Sequence, residues 1–126
     1  MKICVLYPNE NWIIDRLGKK WKIENKNLLS SIHDCDIIWC LANYQLAKLL
    51  KKNKIPKNKF IITTIHHIPL PNKVNDNKKK MYKLVDDNSN LIHYITKNSE
   101  KLISKYFKKP KILLPFWNDE KIWFNI

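Results

Sequence analysis

The amino-acid sequence predicts an α/β fold: a doubly wound parallel sheet of about five strands with helices on both faces. Two observations carry this prediction. Five short runs rich in β-branched and aromatic residues each end at a turn, and amphipathic stretches of helical period alternate with them. The length, 126 residues, is enough for one compact core and not comfortably for two. In sheets of this kind ligands bind at the carboxyl ends of the strands. The residues to weigh for function are therefore 8–12, 42–44, 66–70, 97–99 and 115–118.

The first strand is Lys2 to Tyr7, and Asn9, Glu10 and Asn11 form the turn after it. A helix is expected from Trp12 to about Leu29, because Ile13, Leu17 and Trp21 recur on one face. Gly18 interrupts that pattern and weakens the helix by about 1 kcal/mol relative to alanine, which suggests close packing against a neighbour. Asp36 to Leu41 is the second strand. Leu46, Leu49 and Leu50 mark the second helix, whose far side carries Lys48, Lys51 and Lys52, and Pro56 ends the region. Phe60 to Ile65 is the third strand. The polar stretch from Lys73 to Lys80 reads as an exposed loop or frayed helix start before Met81, Leu84 and Val85. Leu91 to Thr96 is the fourth strand. The last helix has the apolar stripe Leu102, Ile103, Tyr106 and Phe107, with Asn98 or Ser99 as N-cap. Lys111 to Leu114 is the fifth strand.

Composition narrows the function. Hydrophobic residues make up 44% of the chain, which excludes a disordered protein. The net charge of +13, from 24 basic and 11 acidic residues, points to a polyanionic partner such as nucleic acid, an anionic membrane surface or phosphate. A duller cause competes: residues with AT-rich codons (Lys, Asn, Ile) are abundant, and Gly18 is the only glycine. Arg16 is the only arginine, which argues against base-specific reading of DNA, since arginine is the usual bidentate partner of guanine. Lysine can still give salt-sensitive attraction to anionic headgroups. Cys4, Cys35 and Cys40 form no CxxC pair and read as free thiols of a reducing compartment. No signal peptide or membrane-crossing stretch is visible. A cytoplasmic location, at most peripheral to the membrane, is expected. No cofactor or metal is expected.

Three places could carry chemistry. In Thr63-Thr64-Ile65-His66-His67 the histidines stand where a buried strand meets the ligand-facing edge, and an imidazole there can donate a hydrogen bond or act as general base. Neighbouring strand residues point to opposite sides, so His66 and His67 do not share one ligand. The competing reading is a histidine that caps a strand end; His33 and His93 are read as structural. The turn Pro8 to Trp12 has no glycine, which disfavours a dinucleotide phosphate there. Asn9, Glu10 and Asn11 could instead hydrogen-bond a polyhydroxylated ligand, or be a plain polar turn. Trp12, Trp21 and Trp39 read as core or helix-face residues. Between Leu114 and Phe124, the rings of Phe116, Trp117, Trp123 and Phe124 could stack on a sugar, but read better as an interdomain seam.

The order of these pieces resembles the Rossmann-like amino-terminal domain of a GT-B glycosyltransferase of the retaining, glycogen-synthase-like group. Three stretches carry the likeness: Thr64-Ile65-His66, similar to the family's Thr-x-His strand end; Leu91 to Ser99, a strand ending in a serine before a helix; and Ile112 to Phe124, similar to the segment that leads into the family's second domain. The resemblance implies that residues 1–115 are an acceptor domain and 116–126 the start of the interdomain segment, the donor domain being absent. It implies that His66 assists at the reacting sugar, with Asn9, Glu10, Asn11, Trp12 and His67 on the acceptor. It implies a nucleotide-sugar donor held by the missing domain, a glycan or glycolipid of the envelope as acceptor, and no turnover by the chain alone. The alternative is a non-catalytic basic α/β module that binds nucleic acid or a protein partner.

Overall fold

The computed structural model describes residues 1–115. The proposed seam residues Phe116, Trp117, Trp123 and Phe124 lie outside them. Five strands form one parallel sheet in sequential order: β1 (Ile3–Leu6), β2 (Ile37–Cys40), β3 (Phe60–Ile65), β4 (Leu91–Tyr94) and β5 (Lys111–Leu113). The helices are α1 (Ile13–Glu24), α2 (Asn43–Lys51), α3 (Asp76–Asn88) and α4 (Glu100–Tyr106).

Side chains alternate across the strands, and the in-register parallel pairing lines up the same parity on each face. One face presents Cys4, Ile38, Cys40, Ile61, Ile65, Ile92 and Tyr94, and these join Leu46 and Ala47 of α2, Tyr82 and Val85 of α3 and Ile103 of α4 in one core. The opposite face carries Trp39, against which Trp21 of α1 packs edge-on at 5.9 Å. The predicted helices on both faces are therefore present.

How a sequential strand order comes to be doubly wound is answered at β1. Four right-handed crossovers in one direction would put every helix on one face. Yet the chain leaving α1 first makes a parallel bridge from Leu29 to Ile3, with Ser30 N–H on the Ile3 carbonyl. That carbonyl points away from β2, whose Ile37 N–H bonds the carbonyl of Lys2. Leu29 thus stands on the outer edge of β1. The chain then passes the amino end of β1, where Ile32 and Cys35 already join the other core, and enters β2. The α1 crossover runs outward from β1, the remaining crossovers run the other way, and a common right hand places them on opposite faces.

Local expectations are corrected or narrowed in three places. The first helix ends at Glu24, not near Leu29: the Asn25 backbone N–H and Nδ2 both donate to the Trp21 carbonyl, and a short 3-10 turn at Lys26–Leu28 follows. The third helix begins at Asp76, because Asn75 Oδ1 caps it by accepting the Lys78 N–H at 2.8 Å. Of the two readings of the stretch from Lys73 to Lys80, the helix start therefore holds from Asp76 onward. Trp12 is not a core residue but 69% exposed.

Candidate functional site

The reversal of winding direction falls between β1 and β2, so the crevice at a topological switch point lies outside their carboxyl ends. The turn after β1 borders it. Asn9 and Asn11 both adopt left-handed backbone with φ of 60°. Asparagine tolerates this region because its short amide bonds locally. Two asparagines thus take the left-handed backbone conformation that glycines take in a dinucleotide-binding turn.

The turn is held from below by Asp15, which is buried. Its carboxylate accepts the Asn9 N–H at 3.0 Å and the Trp12 N–H at 3.4 Å. Asp15 stands in the third position of α1, so its bond to the residue before the helix is half of a capping box. Reading the turn alone misses it; a carboxylate three residues past a turn is the signal that finds it.

The second wall is the amino end of α2. Gln45 Nε2 donates to the Tyr7 carbonyl at 2.9 Å, and the Tyr44 hydroxyl donates to Glu10 Oε2 at 3.2 Å. These two bonds tie the α2 start to the β1 turn. Partial burial, and behind it the Glu10 carboxylate, raise the Tyr44 phenol above its ordinary pKa. Gln45 Oε1 is buried and meets no donor among the described residues. Tyr44 lies in the predicted turn after β2, but the role of Gln45 depends on how α2 meets Tyr7.

His66 follows β3 directly. Its Nε2–H donates to the carbonyl of Leu41, the residue after β2. Burial lowers its pKa, and proximity of His93 adds to this, while the Leu41 carbonyl opposes it. The ring is therefore neutral near pH 7, with the lone pair on Nδ1. His67 is exposed, and both histidines lie past the end of β3. The sites do not all converge: Asn9, Glu10, Asn11 and Trp12 share the β1 turn, whereas His66 is fixed to the end of β2.

A polar row crosses the α1 face of the sheet. Trp39 Nε1–H donates to Thr64 Oγ1 at 2.9 Å, the Thr64 hydroxyl to His93 Nδ1 at 2.9 Å, and His93 Nε2–H to the Leu114 carbonyl at 2.7 Å. Each donor is spent on the next acceptor only if His93 is neutral. Burial lowers its pKa, opposed by the Leu114 carbonyl. Trp21, Trp39, Ile62, Leu91, Ile112 and Leu114 surround this row with an apolar recess of about 330 Å³.

Among the described residues no group of three or more His, Cys, Asp or Glu side chains could hold a metal ion. No helix among them is long and apolar enough to cross a membrane. Set against known proteins, the chain matches no family model, no curated protein and no solved structure.

Proposed function

We propose that this chain is the acceptor-binding half of a GT-B glycosyltransferase, with His66 at the reacting sugar and the β1 turn on the acceptor. The observation that favours this reading most is the position of a neutral, hydrogen-bonded His66 at the carboxyl end of a central strand, one strand away from the switch-point crevice. A neutral imidazole at this place suits a hydrogen-bond partner or base toward a sugar hydroxyl. Asn9, Glu10 and Asn11 offer amides and a carboxylate, the groups that read hydroxyls, and exposed Trp12 offers a ring face. Donor chemistry, in this reading, belongs to a partner domain with the phosphate-binding groups this turn lacks.

The test is transfer of label from UDP- and GDP-sugars by the chain joined to, or mixed with, a donor domain encoded beside it. His66→Ala should lower turnover by a factor on the order of 100 or more with the fold retained. Near-parental turnover in that variant removes His66 from the mechanism. The second reading, a non-catalytic basic module, is favoured by the net charge of +13. It requires binding to a polyanion that weakens steeply with salt and no transfer at all.

A further inference from the structure

The two faces of the sheet are unequally covered. Helices α2, α3 and α4 all join the core on one face. On the other face α1 is the only helix among the described residues, and it rests on β1 and, through Trp21, on Trp39 of β2. The apolar side chains that β3, β4 and β5 turn to this face are Ile62, Leu91 and Ile112, which share the register parity of Trp39, and Leu114 continues the row. Ile112 and Leu114 are 38% and 52% exposed. These residues form the wall of the recess of about 330 Å³ that also takes in His93 and Pro115. A parallel sheet is ordinarily buried on both faces, and apolar surface left in water forfeits about 25 cal/mol per Å². No Lys, Arg, Asp or Glu side chain lines the recess, so it suits an apolar occupant.

The chain itself leads into this recess. Leu114 is held on both sides: its N–H donates to the Tyr94 carbonyl at 3.0 Å, and its carbonyl accepts the His93 Nε2–H at 2.7 Å. Pro115 stands in the wall. Phe116 and Trp117 follow at once in the sequence, and Ile122, Trp123 and Phe124 come after the polar stretch from Asn118 to Lys121. Two apolar groups on a polar spacer suit a segment with one side on an apolar surface and the other in water. The reach is sufficient. From Leu114 beside β5 to Trp39 on β2 is three strand spacings, about 14 Å. Residues 116–126 span up to about 36 Å when extended. Tethering decides between this segment and a second copy of the chain. Attachment at Pro115 gives the segment an effective concentration in the millimolar range, well above that of free copies in a micromolar solution.

We propose that residues 116–126 fold back over the α1 face of their own sheet, with Phe116, Trp117 and the Ile122-Trp123-Phe124 group filling the recess. The face then has a cover at each end, α1 over β1 and β2 and this segment over β3 to β5. The inference is independent of the glycosyltransferase reading. It assigns these rings to the core of residues 1–115 instead of to a seam with a second domain.

The experiment uses the full chain, labelled at Ile and Leu methyl groups, in solution NMR. Nuclear Overhauser contacts should join the methyls of Ile62, Leu91 and Ile112 to aromatic protons of Phe116, Trp117, Trp123 or Phe124, and a mixture of labelled and unlabelled chains should show none between molecules. Trp117→Ala with Trp123→Ala should lower the folding equilibrium constant about tenfold or more in urea denaturation. Ile23→Ala, at an exposed position of α1, should change it less than about threefold. Ile112→Ala combined with the tryptophan pair should cost less than the sum of the separate effects, since either change alone already empties the contact. Methyl-to-ring contacts found only between molecules make a second copy the occupant and overturn the proposal. So do an absence of such contacts in the parent chain and strictly additive substitutions, either of which leaves the face to a different partner.

Discussion

Gly18→Ala offers a test with a sign that the structure decides. In an ordinary exposed helix the change would stabilise by about 1 kcal/mol, because alanine loses less backbone freedom. Here a Cβ at position 18 would lie 2.3, 2.8 and 3.0 Å from Cδ1, Cε1 and Cγ of Tyr7. To regain a contact of about 3.5 Å the ring must retreat by about 1.2 Å. It cannot do so freely. The Tyr7 carbonyl is held by Gln45, and Lys22 Nζ sits 4.7 Å from the ring centroid. Overpacking of this kind costs about 1–3 kcal/mol, so after the helix gain the net loss should be up to about 2 kcal/mol. Urea unfolding followed by circular dichroism measures it, with the slope unchanged if the effect lies in the native state. The decisive arm is the background Tyr7→Ala. There the obstacle is gone, and Gly18→Ala should stabilise by about 1 kcal/mol. If the substitution destabilises equally in both backgrounds, the Tyr7 ring is not what requires glycine. If it stabilises the parent, the close approach of α1 to β1 is wrong.

Asp15→Ala removes the acceptor for two loop N–H groups and should destabilise by about 1–3 kcal/mol. Faster hydrogen exchange at Asn9 and Trp12 should accompany it, and unchanged exchange there would refute the support role. His93, like His66, is an imidazole whose burial makes stability depend on pH. Its native pKa lies below the unfolded value of 6.5, so below that pH the unfolded chain binds the proton more readily and stability is lost as pH falls toward the native pKa. That contribution is constant above pH 6.5. His93→Gln, whose amide can keep both bonds without titrating, should make denaturation midpoints less steep between neutral and mildly acid pH, His66 supplying the remaining slope; a parental slope in the variant removes His93 from the effect. Cys40 is fully buried, and desolvation, reinforced by Cys4, pushes its thiol up to about 12. It should resist a disulfide reagent until denaturant is added, and modification of the native protein on mixing would contradict its burial.

The sequence by itself determined the strands and the helix faces. Continuous runs such as Phe60 to Ile65 read as buried parallel strands because both faces of such a sheet are covered. Gly18 was legible as a point of close approach, since nothing else justifies glycine inside α1. His66 was legible as a strand-end residue because hydrophobic periodicity stops just before it. Tertiary structure decided what those residues touch. That a sequential strand order is doubly wound turns on one bridge, Leu29 to Ile3, in a segment with no strand periodicity. Asp15 reaches back across the turn to hold the Asn9 and Trp12 N–H groups. The row from Trp39 through Thr64 and His93 to Leu114 joins residues far apart in the chain. Local propensity and periodicity act over one or two turns of chain. Hydrogen bonds between distant strands are fixed only once register and winding bring them within reach, which is why the elements could be read in advance and the site could not.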